Sequence, residues 1–168
     1  GNGGGAAFFF AECPDGGVVS NTTIEDCKAG HGGGIVVRDE SVVTFTGATI
    51  RRCEATAATG GHGGGVFVLG YSSFTMTDAR IEDCSATADG GGLYSFRSDL
   101  VLEGADAADP LSSFAFVNCS AQGRGGGLWA FASQDTDRNR VSRVRFSDCT
   151  SRDEGGGFYF EECSILFS

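Results

Sequence analysis

A repeat of about thirty residues dominates the sequence. Its most visible element is the triplet Gly-Gly-Gly, which begins at positions 3, 32, 63, 90, 125 and 155. A chain with this self-similarity folds as a stack of similar units, because each unit can bury its apolar residues only against its neighbours. Five cysteines recur with the same period, and they are Cys27, Cys53, Cys84, Cys119 and Cys149.

The repeating unit is built from strands rather than helices. Three consecutive glycines would interrupt a helix in every unit. The apolar residues come in short alternating pieces of β-branched and aromatic side chains, such as 42–46 and 73–77. Three pieces fit into each unit: one after the glycines, one in the middle and one that ends before the cysteine. The pattern therefore predicts an all-β, right-handed parallel β-helix of about five to six coils, with three short strands per coil.

Aligning the units on cysteine predicts which residues face the interior. The residue three positions before each cysteine is Ile or Phe, and the residue two positions after it is Ala or Ser. Strict alternation would point the cysteine outward if the Ile points inward, so we expect a bend between them. The cysteine column is then interior, either as buried thiols or as partners in disulfides between coils. Cys13 and Cys163 lie outside this column and are candidates for a disulfide or a link between units.

A second column lies two residues after each glycine triplet. Because its neighbours on either side fit the inward phase, we expect this column to point outward. It is either a self-contained stacking ladder or a face that binds a neighbouring subunit, an extra loop or a glycan. His31 and His62 each precede a triplet and are interpreted as ordinary solvated corner residues. The aromatic members of the column are Phe67, Tyr94, Trp129 and Tyr159.

Composition restricts the functional classes. A net charge of −10 argues against binding to nucleic acid, which requires clustered basic residues. No Cys-x-x-Cys pair occurs, so we expect neither a metal site nor another cofactor. Seven cysteines in 168 residues favour an oxidising compartment, and we expect an extracellular or cell-surface protein. Asn21 and Asn118 begin Asn-x-Ser/Thr sequons and are candidate N-glycosylation sites.

One coil carries a resemblance to a known family. The cassette Phe116-Val117-Asn118-Cys119-Ser120-Ala121, followed by Gly125-Gly126-Gly127-Leu128, resembles the repeats of chlamydial polymorphic outer membrane proteins. Those repeats pair Phe-x-x-Asn with Gly-Gly-Ala-Ile and build the passenger of a surface adhesin. Here Cys stands in place of that Asn, and Gly in place of that Ala. The resemblance implies a pectin-lyase-like right-handed β-helix. Similar Cys- and Gly-rich repeats suit large secreted proteins of algae and other eukaryotic microbes.

These features predict an extracellular structural or adhesive β-helix, either a surface adhesin or a subunit of an extracellular filament or appendage. The alternative is a carbohydrate-active β-helix, such as a polysaccharide lyase, a hydrolase or a glycan-binding module. We expect no enzymatic activity, because no face of the predicted helix shows the convergent carboxylates of such enzymes.

The chain is interpreted as a single β-helix domain, residues 1–168, that is an excerpt of a longer β-helix or one unit of a stacked assembly. Both termini fall within a repeat, without a capping element. The expected partners are further copies stacked end to end or neighbouring coils of the same chain. Glycans and host or cell-surface proteins are further candidates. Nucleic acid is not expected as a partner, and neither is insertion into a membrane.

Overall fold

The computed structural model describes residues 3–9, 18–105, 114–131, 139–163 and 165–167. The regular structure of these residues consists of 22 short β-strands. The strand pairs are parallel, and each joins a strand to its equivalent one repeat later along the chain. The chain therefore winds into a parallel β-helix, which confirms the fold predicted from the glycine and cysteine repeat.

The strands form four sheets that run along the helix axis. Sheet 1 contains β1 (Ala6–Phe9), β5 (Ile35–Arg38), β9 (Val66–Leu69), β13 (Leu93–Phe96), β17 (Leu128–Phe131) and β21 (Phe158–Glu161). Sheet 2 contains β2 (Val18–Ser20), β6 (Val42–Thr46), β10 (Ser73–Thr77), β14 (Asp99–Glu103), β18 (Arg140–Ser142) and β22 (Leu166–Phe167). Sheet 3 contains β3 (Thr23–Glu25), β7 (Thr49–Arg51), β11 (Arg80–Glu82), β15 (Phe114–Val117) and β19 (Val144–Ser147). Sheet 4 contains β4 (Lys28–Ala29), β8 (Glu54–Ala55), β12 (Ser85–Ala86), β16 (Ser120–Ala121) and β20 (Thr150–Ser151).

Each coil has four strands, so the predicted three strands per coil are wrong. The additional strand is the two-residue element of sheet 4, which follows each cysteine. A left-handed residue separates it from the strand of sheet 3, with φ of 55° at Asp26, 52° at Arg52 and 54° at Asp83. This backbone conformation turns the chain sharply, so the residues after the cysteine begin a new short side of the coil. A strand of two residues is too short to show in an alternating apolar pattern.

The residue before each cysteine is well suited to this corner. In four of the five coils it is Asp or Asn, the residues other than glycine that adopt the left-handed region most readily. The expected bend between the inward Ile or Phe and the inward cysteine is therefore a single left-handed residue with an exposed side chain. The four Asp and Asn residues are Asp26, Asp83, Asn118 and Asp148.

The core consists of apolar side chains stacked from coil to coil. Ile50, Ile81 and Phe116 of sheet 3 are fully buried, and each pairs with the next in the parallel ladder. Phe45 and Phe74 of sheet 2 face them, with ring centroids 6.0 Å apart. Because like residues stack on like, each coil supplies the apolar surface that the next one covers.

The glycine triplets allow the closest approach between coils. The first glycine of a triplet is left-handed, as at Gly63 with a φ of 67°. The third glycine has a different role. A Cβ on Gly65 would lie 2.7 Å from the carbonyl oxygen of Gly92 in the next coil and 3.0 Å from Cγ2 of Ile81. Only glycine leaves enough space for the two coils to stack at this corner.

Candidate functional site: side-chain ladders along the helix

The cysteine column lies at the corner between sheets 3 and 4 and faces the core. Cys53, Cys84 and Cys119 are fully buried, whereas Cys27 and Cys149 are half-buried. Each thiol faces the carbonyl oxygen two residues before it, as Cys84 Sγ does that of Glu82 at 3.3 Å. In this arrangement the thiols pack as small core side chains.

Neighbouring thiols of the column influence one another's pKa. The adjacent thiols of Cys119 and Cys53, together with burial, raise the pKa of the Cys84 thiol well above its usual range. The adjacent Cys84 thiol lowers the pKa of Cys53, against the opposing effect of burial. The ionisation of one thiol therefore affects that of its neighbour in the next coil. Of the two cysteines outside the column, Cys163 is half-buried, and Cys13 lies outside the described residues.

The column after the glycine triplets contains four aromatic residues, which we call the aromatic ribbon. The ribbon lies on the outward side of sheet 1. The ring centroids of Phe67 and Tyr94 are 5.2 Å apart, and those of Tyr94 and Trp129 are 4.4 Å apart. Phe67 is 8% exposed and Trp129 is 6% exposed. Because Phe67, Tyr94 and Trp129 stack nearly parallel, the ring faces between them are occupied by the neighbouring ring, and a sugar could not lie flat on those faces. This geometry favours a stacking ladder over a glycan platform.

A second aromatic row lies beside the ribbon and was missed by the sequence analysis. Phe96 and Phe131 stack with centroids 5.1 Å apart, and Phe131 lies 6.0 Å from Trp129. The guanidinium of Arg97 sits 5.1 Å from the Phe96 centroid, a favourable cation–π contact. The sequence signal was available, since Phe96 and Phe131 each follow a ribbon residue by two positions.

His31 and His62 are half-buried and stacked, which differs from the solvated corner expected from the sequence. Their ring centroids are 5.7 Å apart and their planes lie within 5° of parallel. His31 also packs on Phe67 at 5.2 Å, and His62 packs on Tyr94 at 4.5 Å. The two imidazoles therefore extend the aromatic surface of sheet 1 around the glycine corner.

The same two imidazoles accept hydrogen bonds from the backbone of the following coil. Nδ1 of His31 accepts the N–H of His62 at 3.3 Å, and Nδ1 of His62 accepts the N–H of Asp89 at 3.3 Å. Asp89 continues the ladder, because its Oδ1 accepts the N–H of Arg124 at 2.8 Å. An imidazole accepts at Nδ1 only while that nitrogen carries no proton, so these contacts require neutral histidines.

Burial lowers the pKa of both histidines. At His62 the nearby Asp89 carboxylate opposes this effect, and the His31 ring adds to it. A histidine whose pKa is lower in the folded chain than in the unfolded chain stabilises the fold above its unfolded pKa. That contribution is lost as the pH falls towards and through the folded pKa.

We therefore expect the free energy of unfolding to fall as the pH drops below 6.5, the ordinary histidine pKa. Urea unfolding at a series of pH values measures this free energy. The matched variant is His62→Asn, whose amide oxygen can accept the Asp89 N–H but does not titrate. The variant should lose less stability than the unaltered chain over the pH interval just below 6.5. An identical pH profile for both proteins would contradict this role of His62.

A ladder of buried polar side chains lies at the start of the strands of sheet 2. Ser72 Oγ donates to the Leu69 carbonyl at 2.9 Å, and Asn139 Oδ1 accepts the N–H of Leu100 at 2.9 Å. Isolated serines carry no periodic apolar signal, and so the sequence analysis did not find this ladder. Its members satisfy backbone groups at the corner between sheets 1 and 2. The ladder consists of Ser41, Ser72, Ser98 and Asn139.

Both sequon asparagines are exposed at left-handed corners. Asn118 Nδ2 donates to Oδ1 of Asp83 in the neighbouring coil at 2.7 Å. Asn21 lies opposite Gly47, near the start of sheet 3. A glycan on Asn118 would be attached to Nδ2, the atom that donates to Asp83. Within the described residues the structure gives no corresponding contact for the amide nitrogen of Asn21.

Within the described ranges, His, Cys, Asp and Glu residues do not form any group of three or more that could hold a metal ion. The part of the chain that the structure describes also has no helix with the length and apolarity needed to cross a membrane.

The parallel coils, glycine corners and internal ladders together define a β-helix. A family model described as the right-handed β-helix region matches residues 11–168. The chain belongs to this right-handed β-helix family. No curated protein and no solved structure matches it.

Proposed function

We propose that this chain is a structural or adhesive β-helix that acts outside the cell, as a surface adhesin or as a subunit of an extracellular filament or appendage. The observation that carries the proposal is the pairing of outward charges between successive coils. Lys28 Nζ lies 2.7 Å from Glu54 Oε2, and Arg52 Nε lies 2.7 Å from Asp26 Oδ1. These contacts join the first coil to the second on the sides formed by sheets 3 and 4.

The same kind of pairing continues in later coils. Arg124 Nε lies 3.4 Å from Glu154 Oε2, and Arg140 Nη2 lies 3.3 Å from Glu103 Oε1. Each exposed pair contributes little by itself, because solvent screens it, but the pairs repeat along the axis. Surface charges that pair between successive coils suit a rod-shaped structural protein. A catalytic groove instead needs charges that converge on a bound substrate.

The extracellular and adhesive parts of the proposal draw on the sequence. Seven cysteines in 168 residues favour an oxidising compartment. The resemblance to chlamydial polymorphic outer membrane protein repeats favours a surface adhesin, with glycans or cell-surface proteins as its partners. A net charge of −10 would keep neighbouring rods soluble.

We also propose that an axial face of the β-helix binds a further coil of the same kind, either from the same chain or from a second copy. In the last described coil Phe158 occupies the position that Leu128 takes in the preceding coil. Leu128 is fully buried, whereas Phe158 is 45% exposed. A stacked coil would cover Phe158 as it covers Leu128, and head-to-tail contacts of this kind extend into filaments.

Self-association of the purified chain tests this proposal. We expect the mass measured by light scattering to rise with concentration above the 17.3 kDa of one chain, and electron microscopy to show rods. Phe158→Glu should reduce association, because it places a charge on the axial face. Val42→Glu is the matched control, since Val42 is 43% exposed but lies on the side of sheet 2. A monodisperse monomer at all concentrations, or equal effects of both variants, would contradict axial binding.

The same preparations distinguish the structural role from the carbohydrate-active alternative. We expect no depolymerisation of pectin, alginate or chondroitin. Turnover that disappears when one surface aspartate is replaced would favour a lyase or hydrolase instead. Beads coated with the chain, tested on cells with and without their surface glycans, would then show whether the rod itself is adhesive.

A further inference from the structure

The cysteine column combines an in-register stack of cysteines with access from its two ends alone. The N–H of the residue after each cysteine donates to the carbonyl of the cysteine one coil earlier. The distance is 2.9 Å both from Glu54 N to Cys27 O and from Ser85 N to Cys53 O. The cysteines of successive coils are therefore in register, as are the two-residue strands that follow them.

This register brings neighbouring cysteines within reach of a disulfide. Parallel strands lie about 4.8 Å apart, and the Cα atoms of a disulfide are usually about 4.4–6.8 Å apart. Access differs sharply along the column, since Cys27 and Cys149 are half-buried and the three cysteines between them are fully buried. A reagent in solution can therefore reach the column only at Cys27 and at Cys149.

We propose that the column is a redox site that reacts with low-molecular-weight disulfides at both ends. It forms the disulfides Cys27–Cys53 and Cys119–Cys149 and leaves Cys84 as a thiol. The inference is independent of the proposed extracellular role, because it rests on the arrangement of the five thiols alone.

Each disulfide forms by two exchange steps. The Cys27 thiolate attacks one sulfur of the external disulfide, such as oxidised glutathione, and one small thiol leaves with a proton. The Cys53 thiolate then attacks the Cys27 sulfur of this mixed disulfide, and the second small thiol leaves. Two protein thiols are oxidised and one external disulfide is reduced to two thiols. Cys149 and Cys119 react in the same order at the other end.

Cys84 is left over because the column has an odd number of thiols and two points of entry. Pairing from either end uses the terminal cysteine and the one next to it. Cys84 is in the middle, fully buried, and has no unoxidised neighbour once both end pairs have formed. The two disulfides would join the first coil to the second and the fourth to the fifth, so oxidation should also raise the melting temperature.

The test uses the reduced, folded chain and oxidised glutathione at mildly alkaline pH, because burial raises the pKa of the Cys27 thiol. Peptide mapping by mass spectrometry should find Cys27–Cys53 and Cys119–Cys149, with Cys84 alkylated only after unfolding. Any disulfide that contains Cys84 overturns the proposal, and so does one between the column and Cys13 or Cys163. Oxidation that occurs only in the unfolded chain overturns it too.

Two variants separate this end-on mechanism from random pairing. Cys84→Ala should form both disulfides as before. Cys53→Ala should stop at the mixed disulfide on Cys27, while Cys119–Cys149 forms at an unchanged rate. A Cys53→Ala chain in which Cys27 pairs with Cys84 would contradict the mechanism. Melting curves establish that each variant is folded, and the mapping of the unaltered chain decides the proposal even if one variant is not.

Discussion

Replacing Gly65 by alanine is expected to lower the free energy of unfolding by about 1–3 kcal/mol or more. The added Cβ would lie 2.7 Å from the carbonyl oxygen of Gly92 and 3.0 Å from Cγ2 of Ile81. The first contact is to backbone and the second to a fully buried side chain, so relief requires one coil to move away from the next. Urea and thermal unfolding measure the loss.

Gly157→Ala is the matched control for this prediction. Gly157 occupies the equivalent third position of its triplet, but the nearest atom to an added Cβ is Cβ of Phe146, at 3.3 Å. The loss of stability there should be much smaller. Equal losses at the two positions would show that the glycines are needed for some reason other than the approach of the next coil.

A thiol reagent should label the reduced, folded chain in a pattern that follows burial. Cys27 and Cys149 are half-buried and should react first. Cys53, Cys84 and Cys119 are fully buried, and their labelling should be slower by a factor on the order of 100 or more, because it requires local opening of the coils. Iodoacetamide labelling followed by peptide mapping gives the rate at each cysteine.

The labelling experiment contains its own control. In strong denaturant all five cysteines of the column should react at similar rates, because the unfolded chain exposes them equally. Rapid labelling of all five in the folded chain would mean that the column does not lie in the interior. The pattern therefore tests the inward orientation of the column independently of any disulfide.

The fold was predictable because a repeat of glycine and cysteine leaves few alternatives. Glycine triplets exclude a helical array, and short alternating pieces of β-branched residues require strands. The bend before each cysteine was also predictable, since Ile50 and Cys53 could not otherwise both face inward. Apolar periodicity did not predict that this bend is a single left-handed residue. It also did not predict the two-residue strand that follows the cysteine.

Some of the candidate ladders were predictable from the sequence and others were not. The cysteine column and the aromatic ribbon follow from aligning equivalent positions, because a parallel in-register stack places like residues next to like. The contacts of His31 and His62 do not follow from alignment. Only these two coils have histidine at that position, and the partner of each is a backbone N–H one coil away.

The sequence by itself determined the stacking of coils, the positions of the glycine corners and the identity of the residues that share a column. These depend on local backbone preference and on a period that repeats along the chain. Only the tertiary structure decided the number of sides of a coil, the parallel stacking of the aromatic rings and the pairing of Lys28 with Glu54 or Arg52 with Asp26. Those features depend on distances between residues far apart in the chain, which become defined only when one coil lies against the next.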